Sequence, residues 1–477
     1  MQEILREKWG FDGYVTSDCG AIDDFYRHHK THINPEYAAA DAVFNGTDID
    51  CGKSAYKALV VAVEQGLISE KQIDISLSRL FKIRFRLGMF DNPENVPYSK
   101  IPLSVLESDK HKELSLKMAE EAVVLLKNND ILPLKKNLKK VAIIGPNADN
   151  AEALLGNYNG FPSKIVTPLE AIKSKVSKKT EIIFERAINH VGNLNSDSTT
   201  ILINKLKDAD VVIMVGGISP QLEGEEMPVN IEGFTGGDRT SIALPRIQTQ
   251  LMKKLHEANI PVVFVMMTGS AIGIEWEAKN IPAILNAWYG GQDAGTAIAN
   301  ILFGDYNPSG RLPITFYKND KDLASFNAYN MDNRTYRYFE GEVSYPFGYG
   351  LSYSQFDYSP IQSKASIAKG ENLEVEIEVT NKSKLAGDEV VQLYITHRDV
   401  VYKAPLHALK AFKRINLKGG ETQKVSFTLT PKELSQIDGE GNSIQNTGKL
   451  TLQIGGSSPA KTSATALPMV TKDIQIN

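Results

Sequence analysis

The 477-residue chain is 42% hydrophobic, 23% charged and 8% aromatic, which at ~150 residues per domain predicts about three domains. Its 53 Lys and Arg against 57 Asp and Glu leave a net charge of −4, which excludes a broad basic surface for nucleic acid and gives no reason to expect membrane binding. No apolar run reaches the ~18 residues of a membrane span, and two cysteines, Cys19 and Cys51, exclude a disulfide framework or a Cys-rich metal site.

Met1 to Trp9 reads as an amphipathic helix without the apolar core of a signal peptide. The protein is then cytoplasmic, or its true N-terminus lies elsewhere. Phe11 to Ser17 reads as a buried strand. A helix follows from about Pro35 to Phe44, ended by Gly46, and Thr47 to Cys51 reads as a second strand. Helices from Ser54 to Gln65 and from Lys71 to Leu87 are closed by Gly66 and Gly88. This alternation is the rhythm of a parallel sheet. Residues Asn92 to Val105 hold three prolines and no period, and read as a linker.

A helix is expected from about Lys110 to Ala122, then strands at Val123–Leu126, Val141–Ile144, Ile182–Phe184, Val211–Val215, Val262–Val265 and Ala283–Leu285. Helices near 199–207, 247–258 and 294–302 separate them, which predicts a second α/β layer domain. The basic run 135–140 reads as a solvated loop. Beyond Lys318 comes an aromatic, irregular stretch, and then the period changes to two. Leu373–Val379, Val390–Ile395, Lys424–Leu429 and Lys449–Ile454 alternate as strands of a β-sandwich of immunoglobulin or fibronectin type.

Functional side chains in parallel α/β folds gather at the C-terminal ends of strands. Asp18 stands there, as a nucleophile, a metal ligand or a turn cap. Asp48 and Asp50 end the next expected strand, to line a rim or cap the following helix. Glu223, Glu225 and Glu226 lie in a Gly- and Pro-containing loop after Val211–Val215. Carboxylates this close repel one another, which in a partly buried site keeps one protonated as a general acid. A solvated acidic loop is the alternative. Asp238-Arg239 serves as a surface ion pair or as an anchor for that loop. Val141–Asn147 lacks the Gly-x-Gly-x-x-Gly of a dinucleotide site. His28, His29 and His32 lack a completing Cys or Glu for a metal.

These segments resemble glycoside hydrolase family 3. Gly10-Phe-Asp-Gly-Tyr-Val-Thr-Ser-Asp18-Cys-Gly-Ala-Ile is similar to its nucleophile segment. The pieces 42–51, 86–91, 122–128, 141–147, 238–245, 307–316 and 345–353 follow in the family's order. The resemblance implies a (β/α)8-type barrel, an α/β sandwich domain and a fibronectin type III-like domain. On this chain that gives the C-terminal part of a barrel at 1–95, a linker at 96–130, the α/β sandwich at 131–318, a linker at 319–360 and the fibronectin-like domain at 361–477. A complete barrel takes ~250 residues, so the barrel is expected to be incomplete and the chain inactive on its own, or paired with a complementary N-terminal chain or a second copy.

The resemblance further implies a retaining β-glycosidase with no metal or cofactor, acting on terminal β-linked sugars of plant-type oligosaccharides. Asp18 takes the nucleophile's place and the 223–226 loop the acid/base's, with Glu225 first, Glu223 second and Glu226 third. Tyr158, in a Gly-flanked loop, approaches the sugar or packs within its loop. Cys19 follows the nucleophile as in the xylosidase-like branch, where many β-glucosidases have Trp. In the implied barrel Cys19 and Cys51 end adjacent strands ~4.8 Å apart, within disulfide reach. A bridge there would crowd a hexose hydroxymethyl group and favour xylose, and two free buried thiols are the alternative. A β-glucosidase, a carbohydrate-binding remnant and an inactive truncated piece remain as other readings. The implied location of the full-length enzyme is periplasmic or secreted.

Overall fold

A computed structural model describes residues 1–52 and 54–477 and divides the chain into two compact units, Met1–Leu106 and Glu107–Asn477. Among the described residues no helix is long and apolar enough to cross a membrane.

The first unit is mostly helical. Its main helices are Ala21–Arg27, Pro35–Phe44, Leu59–Glu64 and Glu70–Arg86. Asn34 caps the second of these, its side chain accepting from the Tyr37 N–H, and Pro35 sits at the first helical position. Small residues let the helices approach closely: Ala38, Ala42 and Ala55 pack with Ile22, while Ala40 and Ala62 pack with Val43 and Ile68.

The two expected strands shrink to one parallel bridge, Thr16 to Ile49. Side chains take the backbone groups that a longer ladder would use. Arg6 Nη1 donates to the Gly13 carbonyl (2.8 Å), and the Val15 N–H donates to Asp48 Oδ2 (2.8 Å). Phe11 and Tyr14 are exposed, not buried. Met1 to Trp9 winds as a π-type helix over Gln2–Lys8.

The second unit holds a six-stranded sheet. Its strands are β1 (Val124–Asn128), β2 (Lys140–Ile144), β3 (Glu181–Glu185), β4 (Val211–Gly217), β5 (Val262–Met267) and β6 (Ala283–Asn286). They are ordered β1-β6-β5-β4-β2-β3, with only β1 antiparallel to its neighbour. β4 and β5 are buried along their whole length because helices cover both faces, which is why they read as unbroken apolar runs. Val212 and Met214 pack with Leu202, Leu206 and Leu251 on one face, whereas Val211, Ile213 and Val215 pack with Ile172 and Ile298 on the other.

Of the expected linkers at 96–130 and 319–360, residues 107–130 and all of 319–360 fall inside this unit. The first supplies the helix Asp109–Ala122 and β1. In the second, Tyr345 and Tyr349 sink into the sheet's core. Aromatic bulk, invisible to a search for periodicity, is what anchors it.

The sandwich packs a three-stranded sheet against a five-stranded one. Leu373, Val375, Ile377 and Val379 point inward while Glu374 and Glu378 face solvent. A buried ion pair, Arg311 to Glu389 at 3.0 Å, ties the α/β layer to the sandwich.

Candidate active site

Asp18 sits just past the Thr16–Ile49 bridge. The Ser17 N–H donates to the Ile49 carbonyl (2.8 Å) and the Gly20 N–H to the Cys51 carbonyl (2.7 Å), so residues 17–20 run alongside 49–51. A disulfide joins Cys19 to Cys51, their Cα atoms 4.3 Å apart. Gly20, at φ +82, turns the chain into the helix Ala21–Arg27. The Asp18 side chain is exposed. Its Oδ1 accepts from the Cys19 N–H at 2.7 Å, and Oδ2 takes no hydrogen bond among the described residues.

The other aspartates here have structural work. Asp48 is fully buried beneath Arg6 and Arg79, the latter at 3.0 Å. Asp50 accepts from the Tyr56 N–H (3.3 Å) at the start of a short 3-10 helix. His28 meets Asp24 (2.6 Å), and His32 stacks on Phe25 and meets Asp41 (3.3 Å). These contacts account for His28 at the end of its helix and for His32 in the loop between two helices.

In the second unit, the acidic loop leaves the C-terminal end of β4. Three donors converge on Glu223: the Gly269 N–H (2.5 Å), the Tyr289 hydroxyl (2.7 Å) and the Ser270 hydroxyl (2.6 Å). They come from segments that follow β5 and β6, the strand ends beside β4. Arg239 donates to Ser270 Oγ (3.1 Å) and to the Ala271 carbonyl (2.8 Å). Burial pushes the Arg239 guanidinium below its usual value, with Glu223 opposing that shift. Burial, reinforced by Glu223, pushes the Tyr289 phenol up, so it stays a donor. Asp238-Arg239 is thus an anchor for the loop through Arg239.

Glu225 points outward and accepts from the Tyr158 hydroxyl at 2.8 Å. Glu226 is exposed on a left-handed turn, φ +48. Only Glu223 of the three is half-buried, so the cluster does not form a shared buried pocket. Gly224 and Gly237 close the base of the loop, 3.1 Å apart through a backbone hydrogen bond. A Cβ at Gly237 would stand 1.8 Å from the Gly224 carbonyl oxygen, which only glycine tolerates. Tyr158 is itself exposed, and the neighbouring Asn157 side chain donates to the Glu223 carbonyl (2.9 Å).

A polar network fixes the strand end beneath this loop. Asn147 Nδ2 donates to the carbonyls of Gly216 (3.1 Å) and Ile218 (2.9 Å). Its Oδ1 meets His190 Nε2 at 2.7 Å. Gln248 accepts from the Gly217 N–H (2.8 Å) and donates to the Gly217 carbonyl (2.6 Å). Burial, with Arg186 nearby, pushes the His190 imidazole down to about 4, so it is neutral. Sequence reasoning named none of Asn147, His190, Gln248, Ser270 or Tyr289 for this role. Ser270 and Tyr289 follow β5 and β6, where a search of strand ends would have found them.

Comparison with known proteins identifies the class. The Glycosyl hydrolase family 3 N terminal domain matches residues 1–83, the family's C-terminal domain matches 123–353, and a Fibronectin type III-like domain matches 389–458. A xylan 1,4-beta-xylosidase from Xylanibacter ruminicola is 35% identical, over 96% of this chain and 70% of that protein. An exo-beta-xylosidase solved with a xylobiose aziridine activity-based probe superposes with TM-score 0.87 at 26% identity, over 100% of this chain and 63% of that one. A β-glucosidase from Erythrobacter marinus gives TM-score 0.85 at 29% identity, over 100% and 65%. The chain therefore spans about two thirds of the solved enzymes it matches. It belongs to glycoside hydrolase family 3, with the family's combination of α/β layers and a fibronectin-like sandwich.

Proposed function

We propose that these residues serve a retaining β-glycosidase that releases terminal β-linked xylose from plant-type oligosaccharides. The observation that carries the assignment of roles is the contrast within the acidic loop. Glu223 is saturated by three donors, whereas Glu225 faces solvent with Tyr158 as its partner. A carboxyl that must give up and regain a proton needs access to the leaving group and to water, which Glu225 has.

In the first step Asp18 attacks the anomeric carbon. The C1–O bond to the leaving group breaks, and Glu225 protonates the departing oxygen. In the second, Glu225 takes a proton from water as the water oxygen bonds C1 and releases Asp18. Retention requires the two carboxyls to come ~5–5.5 Å apart. Glu223 holds the loop in register and Tyr158 orients Glu225 and borders the sugar.

The Cys19–Cys51 bridge beside the nucleophile supports a pentose over a hexose, and the xylosidase names among the relatives point the same way. A β-glucosidase is the second reading, supported by the Erythrobacter marinus enzyme. Aryl β-D-xyloside and β-D-glucoside hydrolysis separate the two: the expected order is xyloside faster, and glucoside faster would reverse it. The bridge also supports a periplasmic or secreted location, where disulfides persist, and cell fractionation tests this. Val60, Phe85 and Leu103 leave the first unit at 67%, 65% and 83% exposure. This supports a complementary barrel chain or a second copy as a partner, which sedimentation of the purified chain tests.

A further inference from the structure

A cavity of about 590 Å³ opens where the aromatic stretch before the sandwich meets the sandwich itself, and it shares no residue with the Glu223–Glu226 loop. One wall is aromatic. Tyr336 and Phe347 stack with ring centroids 4.4 Å apart, and Phe339 stands beside them, edge-on to Tyr317. The other wall is polar and unusual. Three of its side chains, Thr315, His397 and Ser458, each carry a buried atom with no hydrogen-bond partner among the described residues. Thr315 and Ser458 are 7% and 2% exposed. Buried polar atoms are nearly always paired in folded proteins, so three orphans on one cavity are a signal. Next to them, Thr396 Oγ1 donates to the Leu406 carbonyl (2.7 Å) and lies 3.0 Å from Gln453 Oε1 and 3.4 Å from His407 Nδ1.

We propose that this cavity is a second, non-catalytic site that binds the end of a short neutral oligosaccharide. Flat aromatic faces suit the C–H faces of a pyranose ring, and the threonine, serine, glutamine and histidine side chains of the polar wall suit its hydroxyls. The volume falls within the ~300–1,000 Å³ of small-ligand sites. Burial pushes both imidazoles below their usual value, with Lys410 adding to the effect on His397 and Arg398 to that on His407. Neutral imidazoles donate and accept at once, as sugar hydroxyls require. Glu340, Arg398 and Lys461 also line the cavity, and Lys461 Nζ donates to the Glu340 carbonyl (3.2 Å).

The test is calorimetric titration of the full chain and of A460W with xylotriose and, separately, cellotriose. Ala460 is an exposed rim residue, so a tryptophan there fills the cavity without touching the core. The expected result is saturable binding of at least one trisaccharide that A460W weakens ~10-fold or more, with an unchanged melting profile. S458A, a smaller perturbation, should weaken it several-fold. Neither sugar binding, or binding equally tight in A460W, overturns the proposal, since the cavity then holds only water. The choice of xylotriose rests on the xylosidase reading, and its failure is distinguishable: cellotriose alone would bind, or Asp18 would prove irrelevant to hydrolysis while A460W still weakened binding.

Discussion

The two candidate catalytic carboxylates stand on different supports. Asp18 belongs to a unit with little sheet, a core of alanines and a disulfide next door. Its position depends on a short backbone pairing to residues 49–51. Glu225 belongs to a unit whose central strands are fully buried, yet it lies on an exposed loop, held at one remove through Glu223. The comparison teaches that a nucleophile and an acid/base have different needs. The first must hold one oxygen on a fixed line of attack. The second must reach both the leaving group and water, so rigidity is placed in its neighbour rather than in itself.

The strongest way to break this contrast is to remove either carboxylate. Asp18→Asn should lower aryl β-xyloside hydrolysis by at least ~10⁴-fold, with the protein still folded by circular dichroism. Glu225→Gln should cost ~10²–10³-fold for a poor leaving group and far less for dinitrophenol, which departs without a proton. If Glu223→Gln shows that leaving-group dependence and Glu225→Gln does not, the two roles are exchanged.

Stability sharpens the comparison next. The disulfide closes a separation of 32 residues, so Cys51→Ser with Cys19→Ser should destabilise the first unit by ~3 kcal/mol in urea unfolding. The second unit should instead be acid-sensitive. His190 titrates at about 4 when folded, and an unfolded histidine near ~6.5. Between these values the folded state binds fewer protons, so its stability is full above about 6.5 and falls as pH drops toward 4, by ~3 kcal/mol. His190→Gln, which can still reach Asn147, should flatten that dependence in denaturation at pH 7 and pH 4.5.

The smallest effect is expected at Tyr158. Tyr158→Phe removes one hydrogen bond to Glu225, worth ~1 kcal/mol, so kcat should fall about 5-fold with little change in melting. A loss as large as that of Glu225→Gln would make Tyr158 part of the proton transfer itself.

Much of this was legible in the residues. β4 and β5 read as strands because both faces are covered, and the sandwich strands because only one is. Asp18 and the acidic loop stood out by their place after apolar runs. The shell around Glu223 was hidden, because Gly269, Ser270 and Tyr289 lie 46 to 66 residues from it and meet it only through the order of the sheet. The helix Pro168–Lys175 was missed although its capping box, Thr167 to Glu170, was readable. The first unit was overread as two strands, because apolar β-branched runs do not reveal whether a side chain will claim the backbone, as Arg6 and Asp48 do.

The central proposal is that Asp18 is the nucleophile and Glu225 the acid/base of a retaining glycosidase. Its most direct test is mass spectrometry of peptides after incubation with a 2-deoxy-2-fluoro-β-xyloside, using the chain alone and together with a complementary barrel chain. The account predicts a fluoroxylosyl adduct on the peptide holding Asp18, slower to form from a poor leaving group in Glu225→Gln. An adduct on another carboxylate, or none in either sample, would contradict it.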